Sequence, residues 1–155
     1  MSSHRTISLW NVNKKKPIFS QPIAHGLNEF HSESEGIIGN PRWIISLTSL
    51  PYSDLFATGS WDNQIKFWRI SEDIKSFSLI GSLPAMGYVN SLQLNIIPGG
   101  HGQSGKKGKK TTQALGGKSN ILLTAALGQE HKFGRWMKLK DAKNQALLAV
   151  FQEKV

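Results

Sequence analysis

Ala57 to Trp68 read ATGSWDNQIKFW, two runs of strand-forming residues on either side of a short polar turn. The first run, Ala-Thr-Gly-Ser, continues the apolar pair Leu55 and Phe56, and Ile, Phe and Trp stand in the second, while Trp-Asp-Asn between them is typical of a tight turn. The segment therefore predicts an antiparallel β-hairpin. Turn signals and further apolar runs on both sides extend it to four successive strands. These predicted strands are Arg42 to Leu50, Leu55 to Ser60, Gln64 to Ile70 and Phe77 to Leu83.

The four-strand pattern occurs a second time further along the chain. The strands of this second copy are predicted at Tyr88 to Ile96, Asn120 to Leu127, Phe133 to Leu139 and Ala146 to Phe151. Four antiparallel strands over roughly 40 to 45 residues make one β-propeller blade. Two shorter runs, Ile7 to Val12 and Ile18 to Ile23, predict part of a preceding blade.

The sequence therefore predicts an all-β fold of about two and a half propeller blades, an incomplete propeller. We expect residues 1–24 to form a partial blade, 25–85 a whole blade and 86–155 the last blade. Gly26 to Pro41 is rich in Asn, Ser, Glu and Gly, which predicts a loop. A second loop, rich in Gly and Lys, is predicted as an insertion at residues 98–119 of the last blade.

Composition excludes several classes of protein. The chain has 155 residues, in the range of one domain, and its lack of cysteine excludes disulfides, thiolate zinc sites and a cysteine nucleophile. No run of 18 consecutive apolar residues occurs, so we expect no membrane partner.

The net charge of +9 is concentrated in the last third of the chain. Residues 1–100 hold 8 basic and 7 acidic residues, whereas residues 101–155 hold 11 basic and 3 acidic ones. Such an excess of positive charge in one part of the chain is typical of a surface that binds phosphate groups. The alternative is a solvated surface that only keeps the protein soluble.

Four polar positions fit the network that ties together the strands of a WD-repeat blade. That network joins a Trp, a Ser or Thr, an Asp and a His, and its buried polar groups are tolerated because each finds a partner. The matching residues here are His25, Thr58 or Ser60, Asp62 and Trp68.

Three enzymatic or metal-binding alternatives are less well supported. A catalytic triad of Ser60, His25 and Asp62 lacks the G-x-S-x-G turn, and the blade pattern already explains all three residues. Glu130 and His131 are adjacent, so on a strand they point to opposite faces and make a poor acid/base pair. The five histidines show no metal-ligand spacing. We expect no catalytic residue, no bound metal and no cofactor.

Several segments resemble the WD-repeat proteins of the U-three small nucleolar ribonucleoprotein, the box C/D particle of the small-subunit processome. The most specific is GQEHKFGRW, from Gly128 to Trp136, followed by KLKDAKN at Lys138 to Asn144. The others are AHG (Ala24 to Gly26), PRWI-S (Pro41 to Ser46), SDLFATGS (Ser53 to Ser60) and GYVNSL (Gly87 to Leu92).

The resemblance implies a non-enzymatic, RNA-binding propeller of the nucleolus, within the nucleus. It implies binding to the box B/C region of the U-three RNA, beside the box C/D core protein that recognises the kink-turn, and a role with small-subunit processome proteins in pre-rRNA cleavage. Lys and Arg would neutralise phosphates, and aromatic rings would stack on splayed bases. The candidate RNA contacts are His131, Lys132, Arg135, Lys138, Lys140 and Lys143.

Two features depart from the resemblance, and two other functions stay open. The KKGKK run at Lys106 to Lys110 is interpreted as a nuclear-import signal, a nonspecific RNA tether or filler. The chain begins at a third-strand sequence, which we interpret as an N-terminally truncated product, an engineered fragment or a fragmentary gene model. The alternatives to RNA binding are a WD-repeat scaffold that binds only proteins and an inert fragment that does not fold alone.

Overall fold

The computed structural model describes residues 5–98 and 120–152, and within them the chain is built from strands and turns. The predicted all-β fold is confirmed. The strands are β1 (Ile7–Leu9), β2 (Phe19–Gln21), β3 (Leu27–Ser32), β4 (Gly36–Pro41), β5 (Ser46–Ser49), β6 (Leu55–Gly59), β7 (Gln64–Ile70), β8 (Phe77–Pro84), β9 (Tyr88–Ile97), β10 (Asn120–Gly128), β11 (Glu130–His131), β12 (Gly134–Lys138) and β13 (Gln145–Gln152). The described residues contain no helix long and apolar enough to cross a bilayer.

All strand pairs are antiparallel, and the largest sheet has the order β5-β6-β7-β8. A second sheet has the order β13-β10-β9, and β1-β2, β3-β4 and β11-β12 are separate hairpins. The four-strand prediction around ATGSWDNQIKFW is therefore confirmed, although its first strand is shorter than predicted, Ser46–Ser49 instead of Arg42 to Leu50.

Strand β6 lies at the centre of the molecule, and all five of its residues are buried. Successive side chains of a strand point to opposite faces. Leu55 and Ala57 therefore pack on one face, in a cluster with Leu123 of the last sheet. Phe56 packs on the other face, in a cluster with Ile7 of β1. The central sheet is thus covered on both faces, as a propeller blade is by its two neighbours.

The contact between the central and last sheets is closest at Gly59. A Cβ at this position would lie 2.4 Å from Val89 Cγ1 and 2.7 Å from Ser46 Oγ. The hydroxyl of Ser46 in turn donates to the carbonyl of Val89 at 2.7 Å. Only glycine lets β6 approach β9 this closely, so the ATGS segment determines sheet packing as well as strand formation.

Two predictions about strands are wrong. Gly26 to Pro41 is not a loop, because Leu27 pairs with Pro41 and Phe30 with Ile38 in the β3-β4 hairpin. The turn at the tip of the hairpin leads into β4 at Gly36, which has a φ of 76°. Residues of β3 and β4 are mostly exposed, so backbone pairing rather than an apolar alternation forms this hairpin.

The last sheet does not repeat the central one strand for strand. Phe133 to Leu139 is predicted as its third strand, but within residues 5–98 and 120–152 β12 pairs with β11 alone, and β13 takes the place next to β10. Leu147 of β13 packs on the core from this position, whereas Arg135, Trp136 and Lys138 of β12 are exposed. The β11-β12 hairpin is thus an insertion between β10 and β13. The predicted Gly/Lys loop lies, apart from Pro98, outside the described residues.

Candidate nucleic-acid interface

A chain of three hydrogen bonds joins four residues of the predicted network. Trp68 Nε1 donates to Thr58 Oγ at 2.8 Å, and Thr58 Oγ lies 2.9 Å from His25 Nε2. His25 Nδ1 lies 2.8 Å from an oxygen of Asp62. With the Thr58 hydroxyl donating to His25 Nε2 and His25 Nδ1–H donating to Asp62, each polar hydrogen in this series of hydrogen bonds has one acceptor.

Ser60 lies outside this chain of hydrogen bonds. Its hydroxyl donates to the backbone carbonyl of Trp43 at 2.6 Å, so it secures the segment before β5 instead. Ser60, His25 and Thr58 are all at most 1% exposed. Without a Ser60–His25 contact and without access for a substrate, these residues do not form the catalytic triad considered as an alternative. The described residues also contain no group of three or more His, Asp or Glu side chains placed to hold a metal.

The predicted RNA-binding residues lie on the β11-β12 hairpin and the segment after it. The hairpin leaves β10 at Gly128, and the side chain of Asn90 holds it to β9 by two hydrogen bonds. Asn90 Nδ2 donates to the carbonyl of Glu130 at 2.9 Å, and the backbone N–H of Lys132 donates to Asn90 Oδ1 at 3.0 Å. A Cβ on Gly128 would lie 2.7 Å from Asn90 Nδ2, so glycine makes room for this anchor.

His131 is at the base of an aromatic cluster. Its ring centroid lies 6.0 Å from that of buried Tyr88, 5.6 Å from Phe133 and 5.3 Å from Trp136. Burial lowers the pKa of His131 below its usual value of 6.5, and the nearby charge of Lys132 lowers it further. Burial also raises the pKa of the Tyr88 hydroxyl. The lowered pKa of His131 favours the neutral imidazole, in which Nδ1 accepts the Phe133 N–H at 3.2 Å.

The five basic candidates are all exposed: Lys132, Arg135, Lys138, Lys140 and Lys143. The ammonium of Lys132 lies 5.1 Å from the centroid of the Phe133 ring. Arg135 Nε lies 3.2 Å from a carboxylate oxygen of Glu130, but the arginine side chain is 87% exposed and keeps donors free for another anion. Arg135 and Lys138 border the same polar recess beside Gln129 and Glu130.

Lys140 and Lys143 follow β12, which ends at Lys138. Three hydrogen bonds hold the segment that carries Lys140 and Lys143 against Gln129. Gln129 Nε2 donates to the Ala142 carbonyl at 2.7 Å, and the Gln129 N–H donates to Asn144 Oδ1 at 2.9 Å. The Leu139 N–H donates to the Gln129 carbonyl at 2.9 Å. All six candidates are thus carried by one continuous, hydrogen-bonded unit.

Sequence reasoning missed the uncharged residues that position this unit, namely Asn90, Gln129 and Asn144. Each lies inside a segment that carries the family resemblance: GYVNSL, GQEHKFGRW or KLKDAKN. A side-chain amide that hydrogen-bonds to the backbone leaves no signature of charge or periodicity in the sequence. Only the position of these three residues within the resembling segments indicates them.

Comparison with known proteins agrees with the fold and the resemblance. No family model matches the chain. Ribosomal RNA-processing protein 9 of Saccharomyces cerevisiae is 34% identical over 170 residues, which cover 98% of this chain and 27% of the relative. U3 small nucleolar RNA-interacting protein 2 of Homo sapiens is 30% identical over 143 residues, 92% of this chain and 24% of the relative.

A solved structure supports the same assignment. The crystal structure of the RRP9 WD40 repeats superposes with a TM-score of 0.69 at 29% identity, covering 97% of this chain and 37% of that one. The chain spans about a quarter of the length of the curated relatives it matches. Similarity over nearly the whole chain, in sequence and in the arrangement of strands, places it in the family of WD-repeat proteins of the U3 small nucleolar ribonucleoprotein.

Proposed function

We propose that this chain is part of a non-enzymatic, RNA-binding component of the U3 box C/D ribonucleoprotein. In this proposal it acts in the nucleolus, in the processing of small-subunit pre-rRNA. Its partners are the U3 RNA, the box C/D core proteins including the kink-turn-binding protein, and small-subunit processome proteins. The names of the relatives support this setting, since they refer to ribosomal RNA processing and to interaction with U3 small nucleolar RNA.

The observation that carries the proposal is the concentration of exposed positive charge on one ordered unit. Between Gly128 and Asn144 there are five basic and two acidic residues, and the basic ones are the exposed residues Lys132, Arg135, Lys138, Lys140 and Lys143. The unit is held by Asn90 and Gln129, so its charges keep their relative positions. Fixed cations of this kind neutralise phosphates and release counterions when RNA binds.

The proposal also assigns the three parts of the chain to a propeller. Residues 1–24 belong to one blade, 25–85 to the next and 86–155 to the last, with the β11-β12 hairpin as an insertion in the last blade. The two hydrophobic layers on either side of β6 support this assignment, because neighbouring blades pack face to face.

The proposal is tested by measuring the Kd of the chain for a U3 box B/C RNA over a series of salt concentrations. For single-stranded RNA, log K falls against log salt with a slope of about 0.7 per contacted phosphate. We expect Lys132→Gln/Lys138→Gln to weaken binding and to reduce the slope by roughly 1.4. The matched control, Lys14→Gln/Lys15→Gln, removes two exposed lysines of the β1-β2 connection and should change neither. Binding that is insensitive to salt, or equal losses in the two double variants, would contradict the proposal.

A scaffold that binds only proteins is the second candidate, and the β3-β4 hairpin favours it. This hairpin carries exposed Phe30 and Ile37, which are 43% and 63% exposed, next to three glutamates in the same segment. Exposed apolar side chains on a projecting element are typical of protein contacts. Under this alternative, Phe30→Ser/Ile37→Ser would reduce recovery of processome proteins with the chain, and the lysine substitutions would leave RNA recovery unchanged.

A further inference from the structure

Two large aromatic side chains at the β11-β12 hairpin face solvent. Phe133 is 76% exposed and Trp136 is 72% exposed, and both lie within the same cluster as His131. Of the other tryptophans, Trp43, Trp61 and Trp68 are partly or fully buried, and Trp10 is 56% exposed. Adjacent exposed aromatic rings do not stabilise the hairpin by burial, which points to a role in binding.

Each ring is supported on the protein side. A Cβ on Gly134 would lie 2.9 Å from ring atoms of Trp136, so the indole lies directly against the glycine backbone. The His131 ring lies beside it, tilted by 39°. Phe133 has the Lys132 ammonium over its ring, 5.1 Å from the centroid. The rings are held in place while most of their surface is open, which reduces the entropy lost when a ligand binds.

The chemistry of this cluster fits an unpaired nucleobase. A base has a flat π-face that stacks on an aromatic ring, and its phosphate is a partner for a lysine or arginine within one nucleotide's length. Here Lys132 lies directly beside Phe133, and Arg135 and Lys138 flank Trp136 in the sequence. A duplex keeps its base faces inside the stack, so only single-stranded nucleotides offer such faces. The net positive charge of the hairpin favours a nucleic-acid ligand over a protein surface. In protein–protein interfaces, aromatic contacts lie in the buried core of the interface, where charged residues are depleted.

We propose that Phe133 and Trp136 form a stacking platform for unpaired nucleobases, with Lys132, Arg135 and Lys138 binding the adjoining phosphates. This inference rests on the proposed RNA-binding function and adds the base as the recognised group and the single strand as the recognised form. It also assigns a role to Phe133 and Trp136, which the distribution of charge did not identify.

Two oligomers separate base recognition from phosphate recognition. One is a 12-nucleotide oligoadenylate RNA, and the other is an abasic strand with the same number of phosphates. We expect the full chain to bind oligoadenylate at least about tenfold more tightly, since stacking on an aromatic side chain contributes roughly 5- to 150-fold per base. Phe133→Leu/Trp136→Leu should remove this preference and leave the affinity for the abasic strand, and its salt slope, unchanged.

Matched variants make the result specific to the rings. Trp136→Phe retains an aromatic ring and should retain most of the preference. Tyr52→Asn removes a fully exposed aromatic ring at a left-handed position, far along the chain from the hairpin, and should have no effect. Circular dichroism of each variant checks that the β-sheet signal is retained.

The outcomes distinguish this inference from the proposed function. Equal binding of both oligomers by the unmodified chain overturns the stacking platform and leaves phosphate binding in place, whatever the folding of the variants. A preference that survives in the leucine double variant also overturns it, because the bases then stack elsewhere. Failure to bind either oligomer contradicts the proposed RNA-binding function itself.

Discussion

Replacing Thr58 by valine tests whether the buried polar network stabilises the central sheet. The Thr58 hydroxyl receives the Trp68 indole N–H at 2.8 Å and lies 2.9 Å from His25 Nε2, at a site with no solvent exposure. Thr58→Val preserves the shape of the side chain but removes the hydrogen-bond partner of the Trp68 indole N–H and of His25 Nε2. Each buried polar group that loses its hydrogen bond costs about 1–3 kcal/mol, and the added methyl group recovers about 0.8 kcal/mol.

We therefore expect Thr58→Val to lower the free energy of unfolding by about 3 kcal/mol, the middle of a range of about 1–5 kcal/mol. At roughly 2–4 °C per kcal/mol for a chain of this size, Tm should fall by about 5–15 °C. Thr58→Ser is the matched comparison, because it keeps the hydroxyl and loses one methyl group, at a cost of about 1 kcal/mol. Thermal and urea unfolding followed by circular dichroism measure both. If the valine variant were as stable as the serine variant, the hydroxyl would not be stabilising and the reasoning would be refuted.

Three further substitutions test the packing at Gly59, the anchoring of the β11-β12 hairpin and the ionisation of His131. Gly59→Ala places a methyl group 2.4 Å from Val89 Cγ1 and should destabilise the chain by about 1–3 kcal/mol; urea unfolding should show a smaller added cost when Val89→Ala is also present. Asn90→Ala frees the β11-β12 hairpin without changing charge, so RNA affinity measured by fluorescence anisotropy should fall with no change in salt slope; an unchanged affinity would mean that the hairpin needs no anchor. Because the pKa of His131 is lowered on folding, the unfolded state binds more protons, so the stability associated with the neutral imidazole is complete above pH 6.5 and declines as the pH falls below it. An NMR titration should place the His131 midpoint below 6.5 and show it rising in Lys132→Gln, and a midpoint at or above 6.5 would disprove the assigned cause.

The central sheet was predictable from sequence because local signals and tertiary packing agree there. Apolar alternation, a turn at Trp61 to Asn63 and the WD-repeat positions all indicate the same four strands. The Thr58 or Ser60 alternative was not resolved by sequence, since both hydroxyls lie on the same face of an extended chain. Packing decides between them: Thr58 lies within reach of Trp68 and His25, whereas Ser60 reaches the Trp43 carbonyl.

The last sheet was harder to predict because two segments compete for one place beside β10. Phe133 to Leu139 has strand-forming residues, but its aromatic side chains are exposed, and β13 brings Leu147 to the core instead. Likewise β3 and β4 form through backbone pairing with little burial, which a hydrophobic pattern does not detect. The charges of the candidate interface were visible in the sequence, while the anchoring amides and the supported faces of Phe133 and Trp136 required coordinates.

Mapping the contact between the chain and RNA tests the central claim most directly. The claim is that one hydrogen-bonded unit, Gly128 to Asn144, carries the RNA-binding surface. Ultraviolet crosslinking of the chain to a U3 box B/C RNA, followed by mass spectrometry of the peptide–nucleotide adducts, identifies the residues in contact. We predict adducts concentrated on the β11-β12 hairpin, foremost at Phe133 and Trp136. Adducts confined to the β3-β4 hairpin or to the β1-β2 connection, with none between Gly128 and Asn144, would contradict the account.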